Sequence, residues 1–586
     1  MPLARRLAFA WSVSGALACL VLVYANYLLR DHNLSGLFGE SSSIWGSVLL
    51  MVIWVAAWLL VFWPVRRLAG WLARRHGYTV VFPVLIIIVS TSLWPDWREE
   101  GRVQRTVGMA ESLRAEPAES APNLILVTID TWRHDYLSRH NPLAPPTPNL
   151  DGLADEGLRF STAWSTSPWT LPSLASLMTG LPPRVTGVAR DIPLPDGVPR
   201  LAEIAWLHGY RTVAFATNPF LTDHYGFGRG FEFFEHSLEL ETVLPAKRSV
   251  LAREAARWMV DRIESDSVEM VIPKTITWLW QHGRRDTPFF LWVHLMNPHL
   301  PYEWRELIGA GRRLQSKYGT EPDLDIVPDS AWFAGRQYKG VQRIRDGSFV
   351  PDATDREAIR TLYAREVQYT DYWLGLLFSE LQRLDLWDES LLVVAADHGE
   401  ELFEHNGFEH GHSVFPEVTH VPLLVRLPGA EAAGEIVAEP VSLGNLLPTL
   451  CHLLDWSPPT GLADPRIWPR FLADADSSAN EPLRDGNTFQ IIENLLYEPQ
   501  WRGVMAWPWY RTENLADSSV RWYDLQHDPG ALQPVEPPSA AEWITARADS
   551  VLAVWDEQGS ALRGTQGPQR GAVPESIQRK LQSLGY

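Results

Sequence analysis

The pattern that most constrains the fold is an alternation of short apolar segments with amphipathic ones, which starts at Asn123. Segments rich in Val, Leu and Ile are typical of buried strands, and here they read NLILVTID, RTVAFAT, PFFLWVHL, LLVVAADHG and VPLLVRLPG. Helical patterns stand between them, including PNLDGLADEG and the long DREAIRTLYAREVQYTDYWLGLLFSELQRL. This alternation predicts an α/β fold with a doubly wound, mainly parallel sheet that helices cover on both faces.

Polar residues follow three of the predicted strands at the point where each strand ends. Asp130 follows NLILVTI, His299 follows FFLWVHLMNP, and Asp397 and His398 follow LLVVAA. Ligands of such sheets bind at the carboxyl ends of the strands, and two carboxylates with an imidazole suit Zn, Mn or a similar divalent ion. Taken singly, each residue is equally well explained as a helix cap or a hydrogen-bonded core group. Their shared position at strand ends favours a metal site.

The segment STSPWTLPSLASLMTG contains a threonine that suits two roles. Pro172 stands where the first turn of a helix tolerates proline, and Thr170 lies directly ahead of it. As a helix cap, Thr170 would be purely structural. As a metal ligand, its hydroxyl would have a lowered pKa and the helix amides would stabilise negative charge at the reaction centre. The position alone leaves both interpretations open.

Three uncharged apolar runs precede this pattern, at residues 7–29, 44–63 and 78–94. Each is close to the about 20 residues that cross a bilayer, and the last is short. A cleaved signal peptide is the alternative for the first run, but YANYLLRDH offers no small-residue cleavage site and two more runs follow. We therefore expect a membrane domain over residues 1–95 with three transmembrane helices.

Arginines predict the orientation of these spans. Arg5 and Arg6 precede the first run, and four more arginines lie in PVRRLAGWLARRHG between the second and the third. Arginine-rich loops stay in the cytoplasm, so an odd number of spans delivers the rest of the chain to the other side. We expect an integral protein of the inner or plasma membrane whose catalytic domain lies on the periplasmic or extracellular side.

Composition limits the possible partners and the domain organisation. The net charge of −19 argues against binding to nucleic acid. With only Cys19 and Cys451, the chain has no disulfide framework. A polar linker is predicted over residues 96–122 and a catalytic domain over 123–471. The segment LADADSSANEPLRDGN would then lead into a small C-terminal α+β subdomain over 472–586.

Five motifs in order resemble the sulfatase branch of the alkaline phosphatase superfamily, from Asn123 to the carboxyl end. They are NLILVTIDTWRHDYL, TPNLDGLADEGLRFSTAWSTSPWTLPSLASLMTG, VHLMNPHLPY, VVAADHGEELFEHNGFEHGHS and VRWYDLQHDP. The resemblance implies an alkaline-phosphatase-like fold and a metal-assisted, covalent mechanism on phosphate or sulfate esters. It implies one metal ion, of Mn, Zn, Ca or Mg type, whose ligands by motif position are Asp130, Thr170, Asp397 and His398. Thr170 would also be the nucleophile, and His299 would lie near the leaving group.

Three further residues are candidates for substrate binding. His412 stands about where sulfatases carry a substrate-binding lysine, and His410 is the second candidate in the same loop. Incidental loop histidines, or a second, adventitious metal held by His405, His410 and His412, are the alternatives. Asn218, at the end of RTVAFATN, is either a substrate contact or a turn residue before Pro219.

Departures from the sulfatase pattern decide between the ester classes. Sulfatases of this branch oxidise a Cys or Ser to formylglycine, with Pro two and Arg four positions later, whereas this chain has Thr170, Pro172 and Leu174. Thr131 also follows Asp130 where many sulfatases have a second aspartate. A threonine nucleophile resembles the phospho-transfer members, such as phosphoethanolamine transferases and lipoteichoic-acid synthases.

The sequence therefore predicts a membrane-anchored, metal-dependent hydrolase or transferase acting on phosphate or phosphonate esters through a covalent phosphothreonine. The predicted partners are the membrane and an ester substrate, for which a lipid- or glycan-linked compound is one option. The alternatives are a sulfuric ester hydrolase with an atypical nucleophile and a non-catalytic sulfatase-fold binding module.

Overall fold

A computed structural model of the protein describes eleven stretches of the chain, all within one compact unit. They are residues 111–236, 268–284, 287–300, 302, 344–345, 347–459, 468, 489–564, 573–574, 577–578 and 581. The three predicted spans at 7–29, 44–63 and 78–94 lie outside these residues. Among the helices that the structure does describe, none has the length and apolarity needed to cross a bilayer.

A large sheet forms the centre of the unit, with the strand order β10-β2-β9-β6-β1-β5-β3-β4 and with β11 also paired to β2. Each pair of neighbouring strands is parallel except those of β9, which runs antiparallel to β2 and β6. The strands are β1 (Asn123–Ile129), β2 (Leu158–Trp164), β3 (Arg211–Ala216), β4 (Phe233–His236), β5 (Phe289–Leu295), β6 (Ser390–Ala396), β9 (His420–Arg426), β10 (Ile436–Val437) and β11 (Val441–Ser442). The predicted α/β class and mainly parallel sheet are confirmed.

The carboxyl ends of the central strands lie side by side. Ile129 of β1 pairs with Leu295 of β5 on one side and with Ala396 of β6 on the other. Every residue of these three strands is buried, which explains their unbroken apolar sequences. Residues that follow the three strands therefore meet at one edge of the sheet.

Helices follow most of the strands along the chain. They are α1 (Pro148–Glu156), α2 (Thr170–Thr179), α3 (Pro183–Thr186), α4 (Leu201–Leu207), α5 (Val268–His282), α6 (Ala353–Arg383), α7 (Pro416–Thr419), α8 (Leu446–Leu453) and α9 (Ala541–Arg563). Asp352 caps α6, since its carboxylate accepts a hydrogen bond from the amide of Asp355. The long helix α6 packs against α1 and α5.

A second, antiparallel sheet lies in the predicted C-terminal subdomain. Its order is β12-β13-β14-β15, and the strands are β12 (Phe489–Ile492), β13 (Trp501–Ala506), β14 (Trp509–Asn514) and β15 (Val520–Asp524). The apolar side of α9 packs on this sheet through Ile544, Ala548 and Leu552. The predicted boundary at residue 472 lies outside the described residues. A short hairpin of β7 (Glu401–Leu402) and β8 (Phe408–Glu409) stands apart from both sheets.

Candidate metal centre and nucleophile

Thr170 is the first residue of α2, a helix in which every residue is buried. The cap position belongs to Trp169, and no side chain caps this helix. The Thr170 hydroxyl instead lies 3.3 Å from Asp130 Oδ2 and 3.3 Å from His398 Nε2. The side chain is thus turned toward the strand ends and away from its own helix.

Asn218 completes this group from the end of β3. Its Nδ2 donates to Asp130 Oδ2 at 2.7 Å and to Thr170 Oγ1 at 3.3 Å. The side-chain oxygen Oδ1 of Asn218 accepts a hydrogen bond from the main-chain amide of Phe220. This contact is the turn role that the sequence also allowed. Asn218 therefore serves the turn and the centre at once.

Three ligand atoms converge next to Thr170 in a way that fits a divalent cation. One atom each from Asp130, Asp397 and His398 lies within 4.8 Å of the others, and all three residues are fully buried. Within the part of the chain that the structure describes, Asp130 Oδ1 and Asp397 Oδ2 have no hydrogen-bond partner. Buried carboxylate oxygens of this kind are costly unless a cation pairs with them.

The tautomer of His398 suits the same cation. Its Nδ1 lies 2.9 Å from the carbonyl of Gly399, so Nδ1 carries the hydrogen and donates it. The lone pair is then on Nε2, which lies 3.4 Å from Asp130 Oδ1 and 3.7 Å from Asp397 Oδ2. A second hydrogen bond that orients a ligating imidazole is usual at metal sites.

Burial and like charge perturb the ionisable groups of the centre. Burial, followed by the neighbouring Asp130 carboxylate, raises the pKa of Asp397 well above its usual value. Burial also opposes ionisation of Asp130, but the nearby histidines, with His299 first, outweigh it and lower the pKa of Asp130. Burial, with His410 as the next cause, lowers the pKa of His398 to about 3. Without a cation, one carboxylate of the pair is therefore driven toward its neutral form.

His299 lies just beyond β5 and is buried. Its Nδ1 donates to the carbonyl of Leu300 at 2.6 Å, so Nε2 is the ring nitrogen at which proton exchange with a substrate can take place. The ring stands edge-on to that of His410, with 5.1 Å between the centroids. This contact joins His299, the predicted leaving-group histidine, to the loop that carries His410.

The two histidines predicted to bind substrate have different surroundings. The His410 ring is buried with its centroid 4.5 Å from that of His398. Its Nδ1 lies 2.9 Å from Glu400 Oε1, and Glu400 Oε2 accepts a hydrogen bond from the Tyr302 hydroxyl at 2.7 Å. Burial raises the pKa of Glu400 to about 7. Of the two histidines, His410 is therefore the one that lies next to His398.

His412 and His405 pair with carboxylates of the hairpin and of α7. His412 Nε2 lies 2.8 Å from Glu401 Oε2, and His405 Nδ1 lies 2.6 Å from Glu417 Oε1. Glu401, His405 and Glu417 form a second group of adjacent ligand atoms. These side chains are already bonded to one another and to the carbonyl of Ala531, so the contacts are those of an ion-pair network.

Sequence reasoning missed two residues beside Asp130. His294 lies inside β5, where it appears as part of an apolar run, yet its Nε2 is 3.5 Å from Asp130 Oδ2. Thr131 has a positive φ of 55° and a buried hydroxyl without a partner among the described residues. His294 is the penultimate residue of β5 and so lies at the edge of the sheet where ligands bind, and this position could have drawn attention to it.

The C-terminal subdomain also supports the segment that precedes Thr170. Trp169 Nε1 and Ser167 Oγ both donate to the carbonyl of Asn494, at 2.6 and 3.0 Å. The Asn494 side chain in turn donates to the carbonyl of Val188. No local sequence signal links these segments, because 325 residues separate Trp169 from Asn494.

Comparison with known proteins gives consistent matches. The family model named Sulfatase matches residues 122–456. An ulvan-active sulfatase of Formosa agariphila is 25% identical over 370 residues, which cover 60% of this chain and 65% of that protein. Human arylsulfatase K is 25% identical over 371 residues, which cover 60% of this chain and 66% of that protein. The chain thus spans just under two thirds of the length of these relatives.

Among solved structures, a phosphonate monoester hydrolase of Agrobacterium radiobacter has a similar fold. The TM-score is 0.55 at 22% identity, and the match covers 77% of this chain and 100% of that one.

Proposed function

The chain belongs to the sulfatase family, and we propose that it is a metal-dependent hydrolase or transferase of phosphate or phosphonate esters with Thr170 as nucleophile. One observation carries this proposal. The Thr170 hydroxyl lies 3.3 Å from both Asp130 Oδ2 and His398 Nε2, and it makes no capping contact with its helix. A buried hydroxyl beside a cation site is in the position of an activated nucleophile.

The reaction consists of two displacements at phosphorus. In the first, the Thr170 hydroxyl gives its proton to solvent, a bond forms between Thr170 Oγ1 and phosphorus, and the bond to the alcohol oxygen breaks while His299 Nε2 gives that oxygen a proton. In the second, water or another alcohol gives its proton to His299 Nε2 and attacks the same phosphorus, and Thr170 Oγ1 leaves and takes up a proton from solvent. Buried donors such as Asn218 Nδ2, which already reaches Thr170 Oγ1 at 3.3 Å, would orient the hydroxyl for attack.

Asp130, Asp397 and His398 would hold the cation, and Thr170 lies within reach of two of them. A divalent ion at this point lowers the pKa of a nearby hydroxyl and neutralises charge on the ester oxygens. Oxygen and imidazole ligands suit Mn, Zn, Ca or Mg, and the donor set does not select among them.

Sulfate ester hydrolysis is the second candidate, since both relatives described above are named as sulfatases. Threonine cannot be converted to the aldehyde that the family's sulfatases use, which is why phosphorus esters are ranked first. A non-catalytic binding module is the third candidate, and the convergence of hydroxyl, cation ligands and His299 favours an enzyme over it.

The apolar runs at 7–29, 44–63 and 78–94 support anchoring in the inner or plasma membrane, with the catalytic domain on the periplasmic or extracellular side. Membrane anchoring would bring the centre close to lipid- or glycan-linked esters. Washing membranes with alkaline carbonate tests the anchor, because an integral protein stays in the pellet. Recovery of the full chain in the wash would contradict it.

The test of the function uses the full chain purified in detergent and loaded with Mn or Zn. Phosphate monoesters, phosphodiesters, phosphonates and sulfate esters are compared for the parent, Thr170→Ala and Thr170→Ser. We expect turnover of a phosphorus ester that Thr170→Ala lowers by about 10³-fold or more. Thr170→Ser keeps a hydroxyl and should retain activity, and mass spectrometry of acid-quenched protein should place the substrate phosphoryl group on residue 170.

Each other outcome points to a different conclusion. Turnover of sulfate esters alone would favour the second candidate. Equal activity of the parent and Thr170→Ala would remove Thr170 from the mechanism. A folded, metal-loaded protein without activity on any of the four ester classes would favour the binding module.

A further inference from the structure

A buried chain of hydrogen bonds joins Trp292, Thr128 and His294 next to Asp130. Trp292 Nε1 donates to Thr128 Oγ1 at 2.9 Å, and Thr128 Oγ1 lies 2.9 Å from His294 Nδ1. Thr128 and His294 are direct partners in the pairing of β1 with β5, so their side chains share one face of the sheet. Each of the three side chains is fully buried.

The far nitrogen of His294 faces the cation ligand. His294 Nε2 lies 3.5 Å from Asp130 Oδ2 and has no hydrogen-bond partner within the described residues. A bare lone pair at this position would face a carboxylate oxygen and be repelled by it. The favourable arrangement has the hydrogen on Nε2 and the Thr128 hydroxyl donating to Nδ1.

The two carboxylate oxygens of Asp130 therefore have different surroundings. Oδ2 accepts hydrogen bonds from Asn218 Nδ2 at 2.7 Å and from the Thr170 hydroxyl at 3.3 Å, and it lies 3.5 Å from His294 Nε2. Oδ1 has no hydrogen-bond partner in the described part of the chain and faces His398 Nε2 at 3.4 Å. A carboxylate held by donors on one oxygen presents the other oxygen to a cation in a fixed direction.

We propose that His294 is a positioning residue for the cation site: it orients Asp130, and Thr128 and Trp292 set its tautomer. Its atoms are not among those of Asp130, Asp397 and His398 that lie within 4.8 Å of one another, so it acts through Asp130 and not as a fourth ligand of that group. This inference rests on the proposed function in so far as that function requires the cation.

Metal affinity tests the proposal independently of catalysis. The full chain in detergent is stripped with a chelator and titrated with Mn or Zn alone by calorimetry. Removal of a group that orients a ligand typically weakens metal binding about 10- to 100-fold. We expect this loss in His294→Leu, which has no donor, and a smaller loss in His294→Gln, whose amide can still donate to Asp130.

Thr128 provides a matched pair that leaves the histidine in place. Thr128→Val is close to threonine in shape but lacks the hydroxyl, whereas Thr128→Ser keeps it. We expect Thr128→Val to weaken metal binding and Thr128→Ser to retain the affinity of the parent. Thermal unfolding of each variant in chelator shows whether it is folded.

The outcomes separate this inference from the proposed function. Parent-like affinity in folded Thr128→Val and His294→Leu, with affinity lost in Asp397→Asn, would overturn the role of His294 and leave the cation site intact. Equal losses in Thr128→Val and Thr128→Ser would also count against it, because the hydroxyl would then be irrelevant. If the parent itself binds neither metal, both the cation site and the inference fail.

Discussion

Ser173 Oγ donates a hydrogen bond of 2.6 Å to the main-chain carbonyl of Asp397. The bond joins α2, whose first residue is Thr170, to the segment directly after β6, where two of the predicted cation ligands lie. The separation between Thr170 and the predicted cation ligands Asp397 and His398 therefore depends on this contact as well as on the packing of the helix.

Ser173→Ala should lower both kcat and the free energy of unfolding. The lost bond leaves a buried carbonyl unpaired, which costs about 1–3 kcal/mol, and a small shift of α2 can reduce kcat by roughly 10- to 100-fold. Ser176→Ala is the control, since Ser176 Oγ bonds to the carbonyl of Pro172 inside the same helix. Steady-state kinetics and thermal unfolding are measured for both, and equal kcat values in the two variants would contradict the coupling.

His299→Gln should impair substrates according to their leaving groups. If His299 gives a proton to the departing alcohol, esters of alkyl alcohols should lose about 10²–10⁴-fold in rate, while esters of nitrophenol, which leaves as a stable anion, should lose much less. The measurement is kcat/KM for a series of esters of increasing leaving-group pKa. His527→Gln, at an exposed position, is the control. A uniform loss across the series would point to a structural role for His299.

The surroundings of His410 and His412 predict unequal effects on substrate binding. His410 contacts the rings of His398 and His299, whereas His412 Nε2 is paired with Glu401. We expect His410→Ala to lower kcat/KM by at least about 10-fold, as expected for a lost charge-assisted contact to an anionic ester, and His412→Ala to change it less. The reverse order would favour the assignment of His412 that the sequence motif suggested.

A cluster of three imidazoles predicts acid sensitivity. The ring centroid of His134 lies 3.8 Å from that of His140, with the two rings tilted, and 3.7 Å from that of His420, whose ring stacks on both His134 and Trp164. Burial is the first cause that lowers the pKa of His140 to about 3 and that of His420 to about 4. Burial also lowers the pKa of His134 well below its usual value.

These histidines are neutral in the folded protein and protonate more readily when it unfolds. Their contribution to stability is fully present above the unfolded pKa of about 6.5 and is lost as the pH falls toward 4 and 3, by up to about 1.4 kcal/mol per pH unit for each histidine. His140→Phe keeps an aromatic ring in the cluster and removes one titrating group. Between pH 7 and 5, the urea midpoint of this variant should therefore fall less steeply than that of the parent. His527→Phe is the control, all samples contain chelator, and an unchanged slope in His140→Phe would refute the prediction.

The sequence predicts the fold class well because burial on both faces gives the central strands an unbroken apolar character. It also predicts that the residues after β1 and β6 meet, since parallel strands end at one edge, and the structure does bring Asp130, Thr170, Asp397 and His398 together. Their catalytic roles stay predictions. Histidines of one loop could not be ranked from spacing, because the hairpin turns His410 toward His398 and pairs His412 with Glu401.

Other features depend on contacts that no local pattern records. His294 looks like one polar residue in an apolar strand, and only its pairing with Thr128 shows that it faces Asp130. The spans at 7–29, 44–63 and 78–94 and the boundary at 472 lie outside the described residues and stay predictions.

The bond from the indole of Trp169 to the carbonyl of Asn494 also has a consequence for biogenesis. The residue next to Thr170 is held by a group that is synthesised 325 residues later. A nascent chain can form β1 and α2 early, but this contact cannot form before the first strand of the C-terminal sheet has emerged. The segment that carries Thr170 thus gains this support only after most of the chain has been synthesised, and a chain that ended before Asn494 would lack it.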